Sequence, residues 1–186
     1  EAAPLYQRCL SIFKAKLPAG HSSIKIVQEN YNGLQEKIAR QYYTQEKYAE
    51  AERLYERLLV TKEKKLGTGH PSLANIMNSL GVCCYKQKNY AKAEPLYKRV
   101  LAINEVAEGK NSLSVAINLN NIAEIYRHQE KYDEAGPLFQ RALSILKNYP
   151  DEQATIKRIQ EHYDDLKKSR EAENKGSSRT APTPQK

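Results

Sequence analysis

The stretch of residues 119–139 reads LNNIAEIYRHQEKYDEAGPLF, and it contains two apolar patterns separated by a short polar segment. In the first pattern four side chains lie at positions i, i+3, i+4 and i+7, which form one face of an α-helix. These four are Leu119, Ile122, Ala123 and Tyr126. The second pattern begins at Ala135. The stretch therefore predicts two amphipathic helices, called helix A and helix B below, joined by a turn.

The same pattern recurs along the chain with a step of 42 residues. Tyr48, Tyr90 and Tyr132 mark the start of helix B in three successive units. Each tyrosine is followed three residues later by an alanine and seven residues later by an aromatic residue. Because a fixed period of this length is typical of repeat proteins, the chain is expected to be an array of helix pairs.

The period alone fits more than one class of helical repeat, since HEAT and armadillo units run to about 40–47 residues and tetratricopeptide units to about 34. The residue pattern favours the tetratricopeptide class. Small residues at Ala123 and Ala135 allow the two helices of one unit to cross closely, and large residues fill the space beside them. The proline that commonly ends helix B is missing in each unit, so a longer helix B is expected to absorb the extra residues.

Three stretches carry a resemblance to a known family: AEPLYKRVL at 93–101, LGTGHPSLA at 66–74 and LNNIAEIY at 119–126. They resemble the 42-residue tetratricopeptide repeats of kinesin light chains and of similar bacterial, especially cyanobacterial, proteins. The resemblance implies an all-α, right-handed superhelix (an α-solenoid) of antiparallel helix pairs. Residues 108–113 depart from the Gly-His-Pro loop pattern, and Asn111 or Ser112 is expected to cap the next helix there.

The first interval of the array is longer, because His21 and His70 stand 49 residues apart rather than 42. Seven extra residues are close to two helical turns, so an insertion lengthens helix A without rotating its buried face. One long helix is predicted over residues 23–45. The chain also opens with a sequence that aligns to the interior of a helix B, which suggests a fragment of a longer array.

These observations divide the chain into six segments. Residues 1–22 form the second helix and loop of a truncated repeat, followed by complete repeats at 23–70, 71–111 and 112–149. Residues 150–173 keep a narrow apolar stripe on a charged segment, which predicts a helix that caps the last repeat. Residues 174–186 lack any apolar residue larger than alanine and are expected to be disordered.

Catalytic and cofactor chemistry finds little support in the sequence. The four histidines do not form a helical metal pair, and neither a Cys-x-x-Cys motif nor a phosphate-binding glycine loop occurs. Cys83 and Cys84 are interpreted as small buried side chains, and His21 and His70 as residues at helix starts. We therefore expect no enzyme activity, no metal and no cofactor. The odd cysteine count favours a reducing, cytoplasmic compartment, and no apolar run is long enough for a membrane span.

The predicted function lies on the concave side of the array, where the helix A positions next to the buried stripe form a groove. Asparagine can both donate to and accept from an extended backbone, and tyrosine offers shallow apolar contact. The predicted peptide-binding residues are Arg40, Tyr43, Asn75, Asn78, Val82, Tyr85, Asn120, Asn121, Glu124 and Arg127. The expected partner is another protein, bound through a short extended peptide. The resemblance to kinesin light chains implies acidic and aromatic residues in that peptide.

Two alternatives stay open. The net charge of +8 is compatible with a basic helical repeat that binds nucleic acid, although 22 acidic residues are interleaved with 30 basic ones. A self-associating scaffold is the other alternative, because the open ends of an array can stack. In that case the truncated first repeat is expected to expose Leu5, Tyr6 and Leu10.

Overall fold

The computed structural model describes residues 2–177, and within that range it contains α-helices, one 3₁₀ turn and no strand. The helices are α1 (Ala2–Lys16), α2 (Ser22–Thr44), α3 (Tyr48–Leu66), α4 (Ala74–Lys86), α5 (Tyr90–Ala107), α6 (Leu113–His128), α7 (Tyr132–Leu146) and α8 (Gln153–Ser177). The 3₁₀ turn, Pro71–Leu73, directly precedes α4. The prediction of an all-α fold is confirmed. Residues 1–93 form one compact unit, called unit 1, and residues 94–186 form a second, called unit 2.

The turns between helix A and helix B are the same in all three complete repeats. Glu46, Lys88 and Glu130 adopt φ values of 58°, 60° and 60°, in the left-handed region. The residue after each donates its N–H to the carbonyl five positions back, as Lys47 does to Tyr42 at 2.9 Å. This hydrogen-bond pattern is the Schellman motif, which ends a helix and reverses the chain. Each turn therefore folds helix B back along helix A.

The small residues of the repeat lie where the helices cross, as the sequence pattern predicts. Ala51, Ala93 and Ala135 at the start of helix B are all 0% exposed. The aromatic residues four positions later are buried as well: Tyr55, Tyr97 and Phe139. Any larger side chain at an alanine position would have to displace its neighbours, because protein interiors are already close-packed.

Side chains cap the starts of α2 and α6 and the start of the 3₁₀ turn before α4. His21 Nδ1 accepts the N–H of Ser23 at 3.2 Å, and His70 Nδ1 accepts the N–H of Ser72 at 3.2 Å. In the third repeat Ser112 Oγ accepts the N–H of Val115 at 3.3 Å. The predicted helix-entry role of the two histidines is confirmed, and Ser112 rather than Asn111 is the third cap.

Helix α2 spans the segment for which a lengthened helix A is predicted, and α1 packs against it. Leu10 is 6% exposed, and Tyr6 is half-buried with its ring centroid 6.1 Å from that of Tyr31. Of the three apolar residues expected to be exposed in the truncated repeat, only Leu5 is, with 67% of its surface accessible. The expectation for Tyr6 and Leu10 is wrong because α2 covers them.

Helix α8 occupies the segment predicted to cap the last repeat and continues to Ser177. Ile159 and Leu166 on its inner face are buried in the apolar cluster of α6 and α7. The predicted tail boundary at residue 173 is wrong, because the helix extends about one turn beyond it. The rest of the predicted disordered tail, residues 178–186, lies outside the described residues.

Candidate functional site

The predicted binding residues lie on three helix A elements: α2 and α4 in unit 1 and α6 in unit 2. Eight of the ten occupy three positions of the repeat, which we call the helix-A face, and Asn75 and Asn121 lie at two further positions. In α2 these positions are Glu36, Arg40 and Tyr43, and in α6 they are Asn120, Glu124 and Arg127. The two sets are related by twice the 42-residue step, so they can be compared position by position.

In unit 1 the helix-A face of α2 borders a cavity of about 220 Å³. Its lining comes from α2, α3 and α4 and consists of Glu36, Arg40, Tyr55, Asn75, Ile76, Asn78 and Ser79. Three of the predicted binding residues, Arg40, Asn75 and Asn78, therefore meet at one place. Tyr55 and Ile76 are buried and form its apolar part.

Asn78, one of the residues that line this cavity, has an unsatisfied acceptor. Its side-chain oxygen Oδ1 is inaccessible to solvent and has no hydrogen-bond partner within the described residues. A buried acceptor without a partner costs about 1–3 kcal/mol, and a ligand that donates a hydrogen bond recovers that energy. At the rim, Arg40 donates to Glu36 at 3.0 Å, and Lys62 donates to the other oxygen of Glu36 at 3.4 Å. The lining of the cavity thus combines an amide, a cation and an anion.

The other predicted residues of unit 1, Tyr43, Val82 and Tyr85, do not line this cavity. All three are half-buried. The Tyr43 ring packs against Tyr48 with the ring centroids 5.9 Å apart, and the Tyr85 ring packs against Tyr90 of the same repeat with the centroids 5.7 Å apart. They supply apolar surface toward the ends of their helices.

A larger cleft, of about 580 Å³, lies along the first half of α2, and the sequence analysis missed it. The C-terminal half of α3 forms its opposite wall, with Thr61, Lys62, Lys65 and Leu66. Lys65 pairs with Glu29 across the cleft. A Cβ atom at Gly33 would meet no atom within 4 Å, so this position faces open space. The extra turns of α2 provide much of the lining, and the insertion was the signal that could have indicated a cleft.

In unit 2 the helix-A face of α6 is covered by α8. Asn120 and Glu124 are 3% and 6% exposed, whereas the groove prediction treated them as surface residues. Asn120 Oδ1 lies 3.1 Å from Nδ1 of His162 on α8, and a Glu124 oxygen lies 3.7 Å from the same nitrogen. His162 therefore fills the space beside Asn120 and Glu124. The equivalent residues of α2, Glu36 and Arg40, border a cavity instead.

Arg127 forms a bidentate ion pair with Glu124 within α6. Its Nε donates to one carboxylate oxygen at 2.9 Å, and its terminal nitrogen donates to the other at 3.0 Å. Burial of Glu124 acts to raise the pKa of its carboxyl, but the hydrogen bonds from Arg127 and the nearby charge of His162 outweigh it and hold that pKa below its usual range. Asn121 is half-buried and accepts from Asn120 Nδ2 at 3.5 Å.

The adjacent cysteines of α4 are buried in the core of unit 1. Cys83 and Cys84 are both 0% exposed, and burial raises their pKa values to about 12 and about 11. A thiol with so high a pKa holds very little of the nucleophilic thiolate at neutral pH. The interpretation of Cys83 and Cys84 as small packing residues is confirmed.

The basic excess of the chain is concentrated in unit 1. Residues 1–93 contain 15 of the 30 basic residues but only 8 of the 22 acidic ones, which gives a net charge of +7. Residues 94–186 contain 15 basic and 14 acidic residues, a net charge of +1. An anionic ligand is therefore attracted more strongly to unit 1.

Comparison with known proteins agrees with this architecture. The tetratricopeptide repeat family model matches residues 31–105 and 109–159. Among solved structures, BtubC (BKLC) from P. vanneervenii is similar with a TM-score of 0.68 at 20% identity, over 100% of this chain and 76% of that one. A putative kinesin light chain with nearly identical TPR-like repeats from Podosopora anserina gives a TM-score of 0.60 at 20% identity, over 96% and 88% of the two chains.

A third structure, the type III secretion translocator chaperone SycD of Yersinia enterocolitica, is similar with a TM-score of 0.62 at 17% identity, over 83% of this chain and 97% of that one. No curated protein matches the sequence. The chain belongs to the tetratricopeptide-repeat family, and the predicted resemblance to kinesin-light-chain-like repeats is confirmed at the level of fold.

The family and fold define the class of protein as a protein-interaction scaffold module. Relatives of this class are typically non-catalytic. Within residues 2–177 no helix is both long and apolar enough to cross a bilayer.

Proposed function

We propose that this chain is an adaptor that binds an extended peptide segment of a partner protein against the helix-A faces of α2 and α4. The observation that carries the proposal is the cavity between these helices, whose lining includes Asn78 with its unpartnered Oδ1. An extended peptide presents backbone N–H groups along its length, and one of them can satisfy this acceptor when the Asn78 amide turns toward the cavity.

The surroundings of Asn78 favour a peptide over a small apolar ligand. Asn75 is exposed beside it and can both donate to and accept from a peptide backbone. Arg40, whose side chain is 70% exposed, can exchange its contact with Glu36 for a carboxylate of the ligand. Tyr43 and Tyr85 add half-buried aromatic surface. Since unit 1 carries the basic excess, the proposed peptide is acidic and contains aromatic or aliphatic residues.

The proposal assigns no catalytic role to the chain. It also places the protein in the cytoplasm, because Cys9, Cys83 and Cys84 are all free thiols and a reducing compartment preserves them.

The test begins with peptides selected from a displayed library on the immobilised chain and synthesised with a fluorescent label. Their affinities are then measured by anisotropy for the wild type, Asn78→Ala and Arg40→Ala. Each substitution removes hydrogen bonds worth about 1–3 kcal/mol in a desolvated site, so binding should weaken by at least about tenfold. Thermal unfolding should change little, because Asn78 makes no hydrogen bond through Oδ1 and Arg40 is exposed.

Two matched controls lie on exposed positions of unit 1 that line neither cavity: Asn30→Ala on α2 and Arg53→Ala on α3. Both should leave the affinity unchanged. If Arg53→Ala weakens binding as much as Arg40→Ala does, net charge governs the interaction and the peptide site is wrong.

That outcome would favour the nucleic-acid alternative, for which unit 1 with its net charge of +7 is the relevant surface. Binding of labelled single-stranded RNA or duplex DNA, with an affinity that falls steeply between 50 and 200 mM salt, would then be expected. Peptide binding that depends on Asn78 and only weakly on salt excludes that alternative.

A further inference from the structure

The surface of unit 2 beneath α8 combines polar and apolar contacts. Asn120 and Glu124 of α6 face His162, while Phe139 of α7 lies against the His162 and Tyr163 rings, with centroid distances of 6.4 and 6.0 Å. Gln140 donates to the Tyr163 hydroxyl at 2.6 Å. Ile159 and Leu166, which flank His162 and Tyr163 along α8, are buried in the apolar cluster of α6 and α7. The surface of α6 and α7 therefore recognises the inner face of α8 through its shape, through aromatic contacts and through hydrogen bonds.

A helix that served only to stabilise the repeat would gain more from an apolar surface below it. A buried ion pair adds little net stability compared with well-packed apolar residues of the same size. The buried charge of α6 is satisfied within α6 itself, because Arg127 donates to both oxygens of Glu124. When α8 leaves, no charge is left unpaired, and water can reach the remaining groups.

The apolar part of the surface, unlike the polar part, is unfavourable when uncovered. Phe139 is 0% exposed beneath α8, and Ile159 and Leu166 of α8 are 0% and 3% exposed where they pack on α6 and α7. An empty surface would expose this apolar area to water at a cost of about 25 cal/mol for each Å². Replacement of α8 by another helix with equivalent side chains is consequently favoured over simple release.

We propose that the α6–α7 surface of unit 2 is a binding site for a partner's amphipathic helix, and that α8 is its displaceable intramolecular occupant. The partner helix carries aliphatic side chains at the positions of Ile159 and Leu166, an aromatic residue at that of Tyr163 and a hydrogen-bonding side chain at that of His162. The inference extends the proposed peptide-binding function to unit 2, and it is tested with a different probe and different variants.

The covalent connection of α8 sets how strongly it competes. A tethered segment acts at an effective concentration in the millimolar range, so an external helix of equal intrinsic affinity binds the intact chain only weakly. Weakening α8 should therefore reveal the site without any change in α6 or α7.

The probe is a synthetic, fluorescein-labelled peptide with the sequence of residues 153–173, added to the full chain. The releasing variant is Ile159→Asn with Leu166→Asn, which disrupts the inner face of α8. Its matched control is Glu161→Asn with Lys168→Asn, two exposed positions on the same helix with no change in net charge. Anisotropy should show at least about tenfold tighter probe binding to the releasing variant than to the wild type or the control.

Two further measurements separate recognition from simple apolar contact. A probe with His162→Ala should bind the releasing variant about threefold to tenfold more weakly, because it loses the contact with Asn120. Asn78→Ala in the chain should leave probe binding unchanged, so a failure of the unit 1 proposal is distinguishable from a failure of this one.

Hydrogen exchange on the releasing variant decides between a displaceable and a structural α8. Amides of α6 and α7 should stay protected while those of α8 exchange freely. The proposal is overturned if α6 and α7 exchange like an unstructured peptide, or if the probe binds the releasing variant no better than the wild type.

Discussion

Equivalent positions of the repeat have opposite environments in the two units. In unit 1, Glu36 and Arg40 of α2 border an open cavity. In unit 2 the corresponding Asn120 and Glu124 of α6 are buried against His162. The repeat register is the same, and so are the helix-to-helix turns. The register therefore determines where the helix-A face lies, while the neighbouring helix determines whether a ligand can reach it.

The two units also differ in charge, with a net +7 in residues 1–93 and +1 in residues 94–186. In unit 1 several acidic residues of the surface are already paired with lysine, as Glu52 and Glu56 are with Lys92. The open site therefore lies in the basic unit and the covered site in the neutral one. The two proposals accordingly assign different ligands to one fold, an acidic peptide to the first unit and an amphipathic helix to the second.

Both units have an alanine buried at the crossing of helix A and helix B. Ala93→Arg in unit 1 and Ala135→Arg in unit 2 each place a charged side chain into a helix crossing where the alanine is 0% exposed. Each should lower the free energy of unfolding by at least about 3 kcal/mol, through steric crowding and burial of charge. Thermal and urea unfolding measure the loss. An unchanged midpoint for either variant would mean that the register assigned to that unit is wrong.

Removal of α8 should affect the units unequally. A chain that ends at Tyr149 loses the contacts of Ile159 and Leu166, and unit 2 should become less stable by about 2–4 kcal/mol. A chain that ends at Glu173 keeps these contacts and should match the full chain within about 0.5 kcal/mol. Hydrogen exchange, measured for each helix, distinguishes a loss of amide protection in α2 and α3 from a loss in α6 and α7. Equal destabilisation by the two truncations would contradict the role assigned to α8.

Two glycines allow a gain of stability to be compared between the units. A Cβ atom at Gly33 of α2 or at Gly136 of α7 would meet no atom within 4 Å, and both residues are helical. Gly33→Ala should raise the free energy of unfolding by about 1 kcal/mol through helix propensity. Gly136→Ala should gain less, because Gly136 lies near the start of its helix. Urea denaturation distinguishes the two; a loss of stability for Gly33→Ala would show that the cleft is closed at that position.

The smallest effects concern surface ion pairs. Lys65 and Glu29 of unit 1 are both well exposed, so Lys65→Ala should leave the free energy of unfolding unchanged within the error of the measurement. Arg141 of unit 2 donates to Glu105 at 2.6 Å and also to the carbonyl of Lys110 at 3.3 Å. Arg141→Ala should therefore cost slightly more, about 0.5–1 kcal/mol. Denaturation at low and high salt measures both losses of stability. A larger loss for Lys65→Ala than for Arg141→Ala would show that the exposed fraction of an ion pair does not predict how strongly solvent screens it.

The fold was predictable because the determinants of packing repeat in the sequence. Ala51, Ala93 and Ala135 and the aromatic residues after them identify the helix crossings without any knowledge of the structure. The capping histidines also follow from their place beside a glycine in the loop. Each of these features depends on residues close together in the chain, so the periodic sequence carries the information.

The candidate site was predicted only in part, because accessibility depends on side chains outside the repeat pattern. Asn120 and Glu124 were expected at the surface, yet His162 of α8 contacts both. His162 stands 42 residues after Asn120, so the period contained a signal for this contact, although the apolar pattern had ended before it. The cleft beside Gly33 depends on the path of two neighbouring helices, which spacing alone does not describe.

The recurring left-handed turns at Glu46, Lys88 and Glu130 have a consequence for how the chain acquires its structure. Each turn closes a helix pair within one repeat, so the entropy lost in bringing the helices together is small and folding should be fast. A ribosome adds about 5–20 residues each second, so a 42-residue repeat emerges in about two to eight seconds. We expect each pair to form while the next is still being synthesised, so that the nascent chain matures one repeat at a time from its amino terminus.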